Sequence, residues 1–380
     1  MKKLFAIALF LLTSCAAPPP DETTATVAQE SDSISFCASP DLPPTQIQLP
    51  HDDAPINPDP MNEWFWFGQI DQRYTYHVFL FQFIVPNFLC PDLCTDASGY
   101  STLLWGSVGL TDKQTGVFHQ SSYLVAGTFA QTVNSFNLAI DHGPSATGGG
   151  GLVDHVRAAV DGYNLDLYST SLKTPLLELN NGYAAFITPS GQYAGDNWYY
   201  SRTRLATVGT LTLPTGQVKP VVGQSWFDRE WDPCCFAGVP VGWDWYGVQL
   251  SNGQELMIYD IYVGGHRDQV LSRTVNFLDA APSCGQGVLT SNQFTLGHSG
   301  SWTSPHSGNI YPTQFTVDIP SKGVHLVVQP TVLDQELTAR PAFFAPWYEG
   351  SAVVSGTSNG QAVTGVGQIE LFGYVPGQSN

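Results

Sequence analysis

The run "YTYHVFLFQF" (Tyr74–Phe83) alternates along an extended chain. Thr75, His77, Phe79, Phe81 and Phe83 fall on one side, and Tyr74, Tyr76, Val78 and Leu80 on the other. Both sides are largely apolar, so the pattern predicts a strand covered on both faces, a core strand or a pocket wall. Turn signals punctuate the rest of the chain. "VRAAVDGYNLDLY" sets Asp161–Gly162 between two alternating runs, a hairpin signature. A helix through Val153, Val156 and Val160 competes, but Gly162 and the alternation after it weigh against it. "WDWYGVQLSNGQELMIYDIYV" sets Asn252–Gly253 at the same kind of junction. A two-residue loop there predicts Tyr246 opposite Tyr259 and Trp245 opposite Asp260. Asp244, Tyr246, Tyr259 and Ile261 would then share one face, and Trp243, Trp245, Asp260 and Tyr262 the other. No helical pattern of three or more turns and no long internal repeat stands out. The chain reads as all-β, of sandwich or barrel class.

Composition agrees with that reading. The 380 residues suffice for one large or two medium domains. The 37 Gly, 27 Pro and 12% aromatics favour short strands and turns over long helices. "TVGTLTLPTGQVKPVVG" is polar and turn-rich, so a domain boundary near residues 206–222 competes with a hairpin inside one fold.

The first residues have the form of an export signal: Lys2 and Lys3, the apolar run "LFAIALFLL", then "LTSC" ending at Cys15. "LTSC" resembles the lipobox of bacterial lipoproteins, which implies a signal over residues 1–14 and a lipid on Cys15. An ordinary signal with a chance cysteine is the alternative. Ala16 after the cysteine resembles the outer-membrane form of the signal, so the expected place is the outer membrane, facing the periplasm. Residues 15–48 are rich in Pro, Ser, Thr and acids, and read as a flexible tether. Residues 1–14 hold two lysines and no acid, so their removal takes the net charge from −18 to −20. Such acidity argues against nucleic acid or anionic lipid as a partner. Six further cysteines, Cys37, Cys90, Cys94, Cys234, Cys235 and Cys284, suggest disulfides in an exported chain, with their pairing open. They lack zinc-ligand spacing, and no metal or cofactor is expected.

The chemistry concentrates in "GQSWFDREWDPCCFAGVPVGWDWYGVQL" (Gly223–Leu250). It holds four of the 10 tryptophans, with Asp228, Arg229, Glu230, Asp232 and Asp244 among them, in a chain only 12% charged. There is no G-x-S-x-G, no H-E-x-x-H, no P-loop and no G-x-G-x-x-G. Carboxyls and rings are the reactive material. A carboxyl among rings has its charged form disfavoured and becomes a usable proton donor. Ring faces can steady a transient cation. The competing reading is structural: Asp228 as half of a buried Asp–Arg pair.

Five stretches resemble bacterial secreted proteins of the AttH and carotenoid 1,2-hydratase (hydroxyneurosporene synthase) superfamily. They are "NEWFWFGQI" (Asn62–Ile70), "NWYYSRTRL" (Asn197–Leu205), "GQSWFDREW" (Gly223–Trp231), "GWDWYGVQLSNGQELMIYDI" (Gly242–Ile261) and "YEGSAVVSGTSNGQAVTGVGQIELFGY" (Tyr348–Tyr374). The resemblance spans roughly residues 60–375 and implies two lipocalin-like antiparallel β-barrels, taken as residues 49–210 and 211–380. It also implies an apolar pocket in or between them. Relatives include alkene hydratases, cyclases and pericyclase-like enzymes acting on lipophilic substrates, and many are labelled secreted hydrolases. Asp228 falls where the hydratases carry an acid. They show a His-x-Trp pair where this chain has Tyr199-Tyr200-Ser201, which sets carotenoid hydration itself in doubt. The expected acids are Asp228 and Glu230. The expected ligand contacts are Trp64, Trp66, Tyr199, Tyr200, Arg202, Trp226, Trp243, Asp244, Trp245 and Tyr259. Asp244 and Glu349 are each expected to meet an arginine. The expected function is acid-assisted hydration, isomerisation or cyclisation of a lipophilic small molecule, with a non-catalytic lipid or pigment carrier and a hydrolase as alternatives.

Overall fold

The computed structural model describes residues 45–57, 59–150, 153–234, 240–280 and 285–376. The expected signal, Cys15, most of the tether, and Cys37, Cys235 and Cys284 lie outside these, as does the side chain of Cys234. Cys90 and Cys94 are joined by a disulfide.

Among the described residues the only α-helix is the four-residue turn Leu179–Gly182, and almost all the rest of the regular structure is strand. One sheet has 12 strands and another 10, each antiparallel and curled into a half-barrel around its own core. Nine strands build the candidate site. The first sheet supplies β1 (Met61–Gln69), β2 (Tyr74–Pro86), β3 (Tyr100–Asp112), β4 (Tyr193–Thr212) and β5 (Val218–Cys234). The second supplies β6 (Val241–Leu250), β7 (Glu255–Val263), β8 (Trp347–Ser358) and β9 (Gln361–Phe372). In space the first group runs β3-β2-β1-β5-β4 and the second β7-β6-β9-β8. The polar stretch after residue 206 is the hairpin between β4 and β5, closed by Leu213 N–H on Gln217 C=O at 2.8 Å. The chain therefore changes sheets after β5, later than the boundary taken at 210/211.

The two-faced β2 follows from a third core. Tyr74, Tyr76, Val78 and Leu80 point into the first half-barrel. Phe79, Phe81 and Phe83 point out of it, and Phe65, Phe67, Trp105 and Trp226 join them. Against that outer face pack Trp245, Met257, Tyr259, Ile261, Trp347 and Phe372 of the second sheet. The two half-barrels thus meet back to back over a buried aromatic layer.

The Asp161–Gly162 hairpin has a two-residue loop: Val160 pairs with Tyr163, and both loop residues have positive φ (46° and 81°). The Asn252–Gly253 hairpin differs from expectation. Leu250 N–H bonds Gln254 C=O, so the loop is the three residues Ser251-Asn252-Gly253, with Gly253 at φ 84°. One extra loop residue moves the register by one: Trp245 faces Tyr259 and Asp244 faces Asp260. Strand side chains alternate with period two, so this slip exchanges the faces of β7. Trp243, Trp245, Tyr259 and Ile261 look toward the first half-barrel, while Asp244, Tyr246 and Ile258 look into the second.

A bulge in β4 between Arg202 and Leu205 has a similar effect. Arg202 points into the first half-barrel, onto Asp154 at 2.7 Å. Arg204, which unbroken alternation would put on the same face, instead reaches Glu255 and the Leu250 carbonyl of the second sheet.

Candidate functional site

A cavity opens where the back-to-back layer is incompletely filled, with about 1160 Å³ of empty space counted out to its mouth. The first sheet contributes Met61 and Glu63 (β1), Phe81, Phe83 and Val85 (β2), Tyr199 (β4), and Glu230 and Asp232 (β5). The second contributes Trp243 and Trp245 (β6), Tyr259 (β7), Trp347 (β8), and Glu370 and Phe372 (β9). The loop residues Phe343, Phe344 and Ala345 close one side.

Strand register explains how the acids come together. Phe81, Glu63, Glu230 and Tyr199 lie side by side on four consecutive strands of the first sheet. Glu349, Glu370, Trp245 and Tyr259 do the same in the second. Each row contains a directly opposed glutamate pair, Glu63 with Glu230 and Glu349 with Glu370. Two carboxylates facing each other in a ladder destabilise it, so these rows favour carboxyls that keep their protons. Burial does the same: it raises Glu230 to about 7 and Glu370 to about 8, and holds Glu63 and Glu349 well above the usual range. Asn197 donates to Glu230 Oε1 at 2.6 Å, Trp243 Nε1 to Glu370 Oε1 at 2.7 Å, and Gln368 Nε2 to Glu349 Oε1 at 2.7 Å. The expected Glu349–arginine pair is not formed: a neutral amide occupies that place.

Arg229 does not neutralise the acids beside it in sequence. Strand alternation turns it to the opposite face, 4.1 Å over the Trp64 ring. It donates to the carbonyls of Ala54 at 2.8 Å and Glu230 at 2.7 Å, and to Asn62 Oδ1 at 2.9 Å.

Of the residues singled out in the sequence, Tyr199, Glu230, Trp243, Trp245 and Tyr259 line this cavity. Trp64, Trp66, Tyr200 and Arg202 do not. They fill the first half-barrel, where Trp64 Nε1 bonds the Asp53 carbonyl at 2.9 Å and Trp66 Nε1 bonds Asp154 at 3.0 Å. The Tyr200 hydroxyl there meets Asp53. Asp244 fills the second half-barrel, held by both terminal nitrogens of Arg267 at 2.8 Å. Trp226 lies in the layer between the half-barrels, stacked on Phe67 at 5.8 Å.

Asp228 sits behind the cavity wall and is fully buried. It has no arginine partner. Its Oδ1 accepts from Trp226 Nε1 at 2.6 Å and meets Ser201 Oγ, which also meets Glu178 Oε1. Ser201 has a single hydroxyl proton for two carboxyls, so one of the two acids must bring its own. Burial raises Asp228 to about 7 and Glu178 well above its usual value. Asp228→Asn strands no cation, so it is expected to change stability by less than about 1 kcal/mol at neutral pH, as for a neutral hydrogen-bond replacement. A urea melt tests this. A loss of several kcal/mol would mean that Asp228 is ionised and held by a charge.

Glu178, Ser201, Glu370 and Trp347 were not singled out in the sequence, whereas Phe81 lies on the strand read there as core or pocket wall. Glu370 has the same signal as Glu230, an acid inside an apolar alternating strand ("GQIELF"). No group of three or more His, Cys, Asp or Glu among the described residues could hold a metal ion.

The AttH-like sequence profile matches residues 40–374, nearly the whole chain beyond the expected tether. The chain belongs to the AttH-like family. Solved structures share the fold of this AttH-like chain. An AttH from Nitrosomonas europaea superposes with TM-score 0.72 at 22% identity, covering 89% of this chain and 100% of that one. A kievitone hydratase from Nectria haematococca superposes with TM-score 0.63 at 17% identity, covering 90% and 99%. No curated protein matches the AttH-like chain by sequence. The all-β, two-unit lipocalin-like architecture expected from the resemblance is therefore the one observed.

Proposed function

We propose that the chain binds a lipophilic small molecule between its half-barrels and acts on it by acid-assisted hydration, isomerisation or cyclisation. The observation that carries this is the pairing of buried carboxyls with rings in one wall. Glu370 and Glu230 reach an apolar space with no Lys, Arg or His among its described lining residues. Glu370 stays protonated through neutral pH and gives its proton to a carbon–carbon double bond, whose electron pair forms the new C–H bond. The carbocation left behind is steadied by Trp243, Trp245 and Tyr259 and by the new carboxylate. Water then adds and gives its proton to the Glu370 carboxylate or to ionised Glu230, or a neighbouring carbon gives one up to the same acceptors, or a second double bond closes a ring and a carbon beside the resulting cation gives up the proton. Fold likeness to a kievitone hydratase supports this reading. A hydrolase finds less support, because the described wall has no Ser, Thr, Cys or His to act as nucleophile. A carrier would need the apolar wall and not the acids.

The test is incubation of the purified chain with an alkene-containing lipid extract in deuterated water. An enzyme leaves carbon-bound deuterium, with or without added water, in one lipid; a carrier returns every lipid unchanged, which would defeat the proposal.

We further propose that the chain works from a lipid anchor on Cys15, at the outer membrane. Cys15→Ser is expected to abolish labelling by radioactive palmitate and to release the protein from membranes. Undiminished labelling would refute the anchor.

A further inference from the structure

The cavity wall presents one electrical sign. Carboxyl groups come from Glu63, Glu230, Asp232 and Glu370, and the described wall contains no basic side chain. The rings add to this, since an aromatic face carries negative potential. Trp243 stands edge-to-face with Trp347 at 5.7 Å and stacks on Phe372 at 4.3 Å, and Trp347 meets Phe372 at 5.6 Å. Three rings thus make the corner of a box beside Glu370, which Trp243 holds by its indole N–H. In the same wall Trp245 is only 2% exposed, and its Nε1 has no acceptor among the described residues. The pocket is therefore built, deep and incompletely satisfied.

We infer that this cavity takes a lipophilic ammonium ion. The alkyl part lies against Phe81, Phe83 and Phe344, and the cationic head lies in the ring corner between Glu230 and Glu370. An oxygen on the ligand would meet the free indole N–H of Trp245. The inference rests on the reading of the cavity as a lipophilic ligand's site, and adds the charge of that ligand. Facing the head are Glu63, Tyr199, Glu230 and Asp232 from the first half-barrel and Tyr259 and Glu370 from the second, with Asp228 and Glu349 buried behind them. None of these is cationic in any protonation state. A bound cation favours the ionised acids and expels a proton, so its affinity must rise with pH until they are ionised anyway. A neutral ligand of the same shape gains nothing from that ionisation.

The experiment compares dodecyltrimethylammonium with dodecanol on the full chain, by tryptophan fluorescence and calorimetry, from pH 6 to 9. The cation is expected to bind more than about tenfold tighter than the alcohol at pH 8. Its affinity should rise by up to about tenfold per pH unit where one proton is released, while that of the alcohol does not rise. In the Glu230→Gln/Glu370→Gln variant the preference is expected to fall to about one. Should that variant fail to fold, the wild-type pH series decides alone. Binding of the alcohol without preference for the cation overturns the ammonium inference and leaves the lipophilic cavity standing. Binding of neither overturns both.

Discussion

Raising the pH from 6.5 to 8.5 is expected to destabilise this protein by at least about 3 kcal/mol and to lower its melting temperature by at least about 5 °C. The folded chain favours protons on Glu230, Glu370 and Asp228, raised by burial to about 7, 8 and 7, and on Glu63, Glu178 and Glu349, which burial holds well above the usual carboxyl range. The unfolded chain has released them by pH 6.5, because an exposed carboxyl titrates near 4. Each pH unit across a folded-state titration costs about 1.4 kcal/mol per group. Stability is therefore greatest on the acid side of this window and falls as the pH rises through the folded values. His77 runs the other way: burial lowers it to about 3, so it favours folding as pH rises, but only up to its unfolded value near 6.5. Starting at pH 6.5 leaves that contribution out. Calorimetric melts at the two pH values check the expectation. A flat or rising profile would show the acids to be ionised in the folded chain, and would remove the proton donor from the proposed chemistry.

Glu370→Gln is expected to slow any turnover by about 10²–10⁴-fold, the usual contribution of a general acid. The same change should raise the melting temperature at pH 8.5, because the amide cannot ionise opposite Glu349. Slower and more stable is the signature of a group strained for function, and it separates this role from a structural one. Glu230→Gln should act in the same direction, with the smaller rise in stability because its proton is already partly lost at neutral pH. The deuterium-incorporation assay and parallel melts read both effects. Full incorporation by Glu370→Gln would pass the role to another acid of the cavity.

Much of the fold was legible in the chain because period-two alternation is a direct projection of strand geometry. The two faces of β2 and the Asp161–Gly162 hairpin follow from it. The face of β7 did not, because one loop residue decides it and Ser251-Asn252-Gly253 differs from a two-residue Asn-Gly loop only in its hydrogen bonding. The candidate site was harder for a related reason. "WFWF" and "WDWY" look alike as sequence, yet Trp64 and Trp66 face a half-barrel interior and Trp243 and Trp245 face its outside. With the layer between the half-barrels as apolar as their interiors, residue type cannot tell the two sides apart. Glu370 lies 140 positions from Glu230 in the sequence. Only the packing of one sheet against another brings them to one cavity.

The aromatic back of the first half-barrel also bears on how the chain is made. The last strand of that sheet ends at Cys234, well before β8 and β9 have been synthesised. At about 5–20 residues per second, a nascent chain would show Phe65, Phe67, Phe79, Phe81 and Trp105 to solvent for several seconds or longer. A holdase that recognises exposed aromatic surface would find its preferred client in that interval. The back-to-back seam thus makes the first half a poor candidate for expression by itself, because its aromatic back has no cover without the second half.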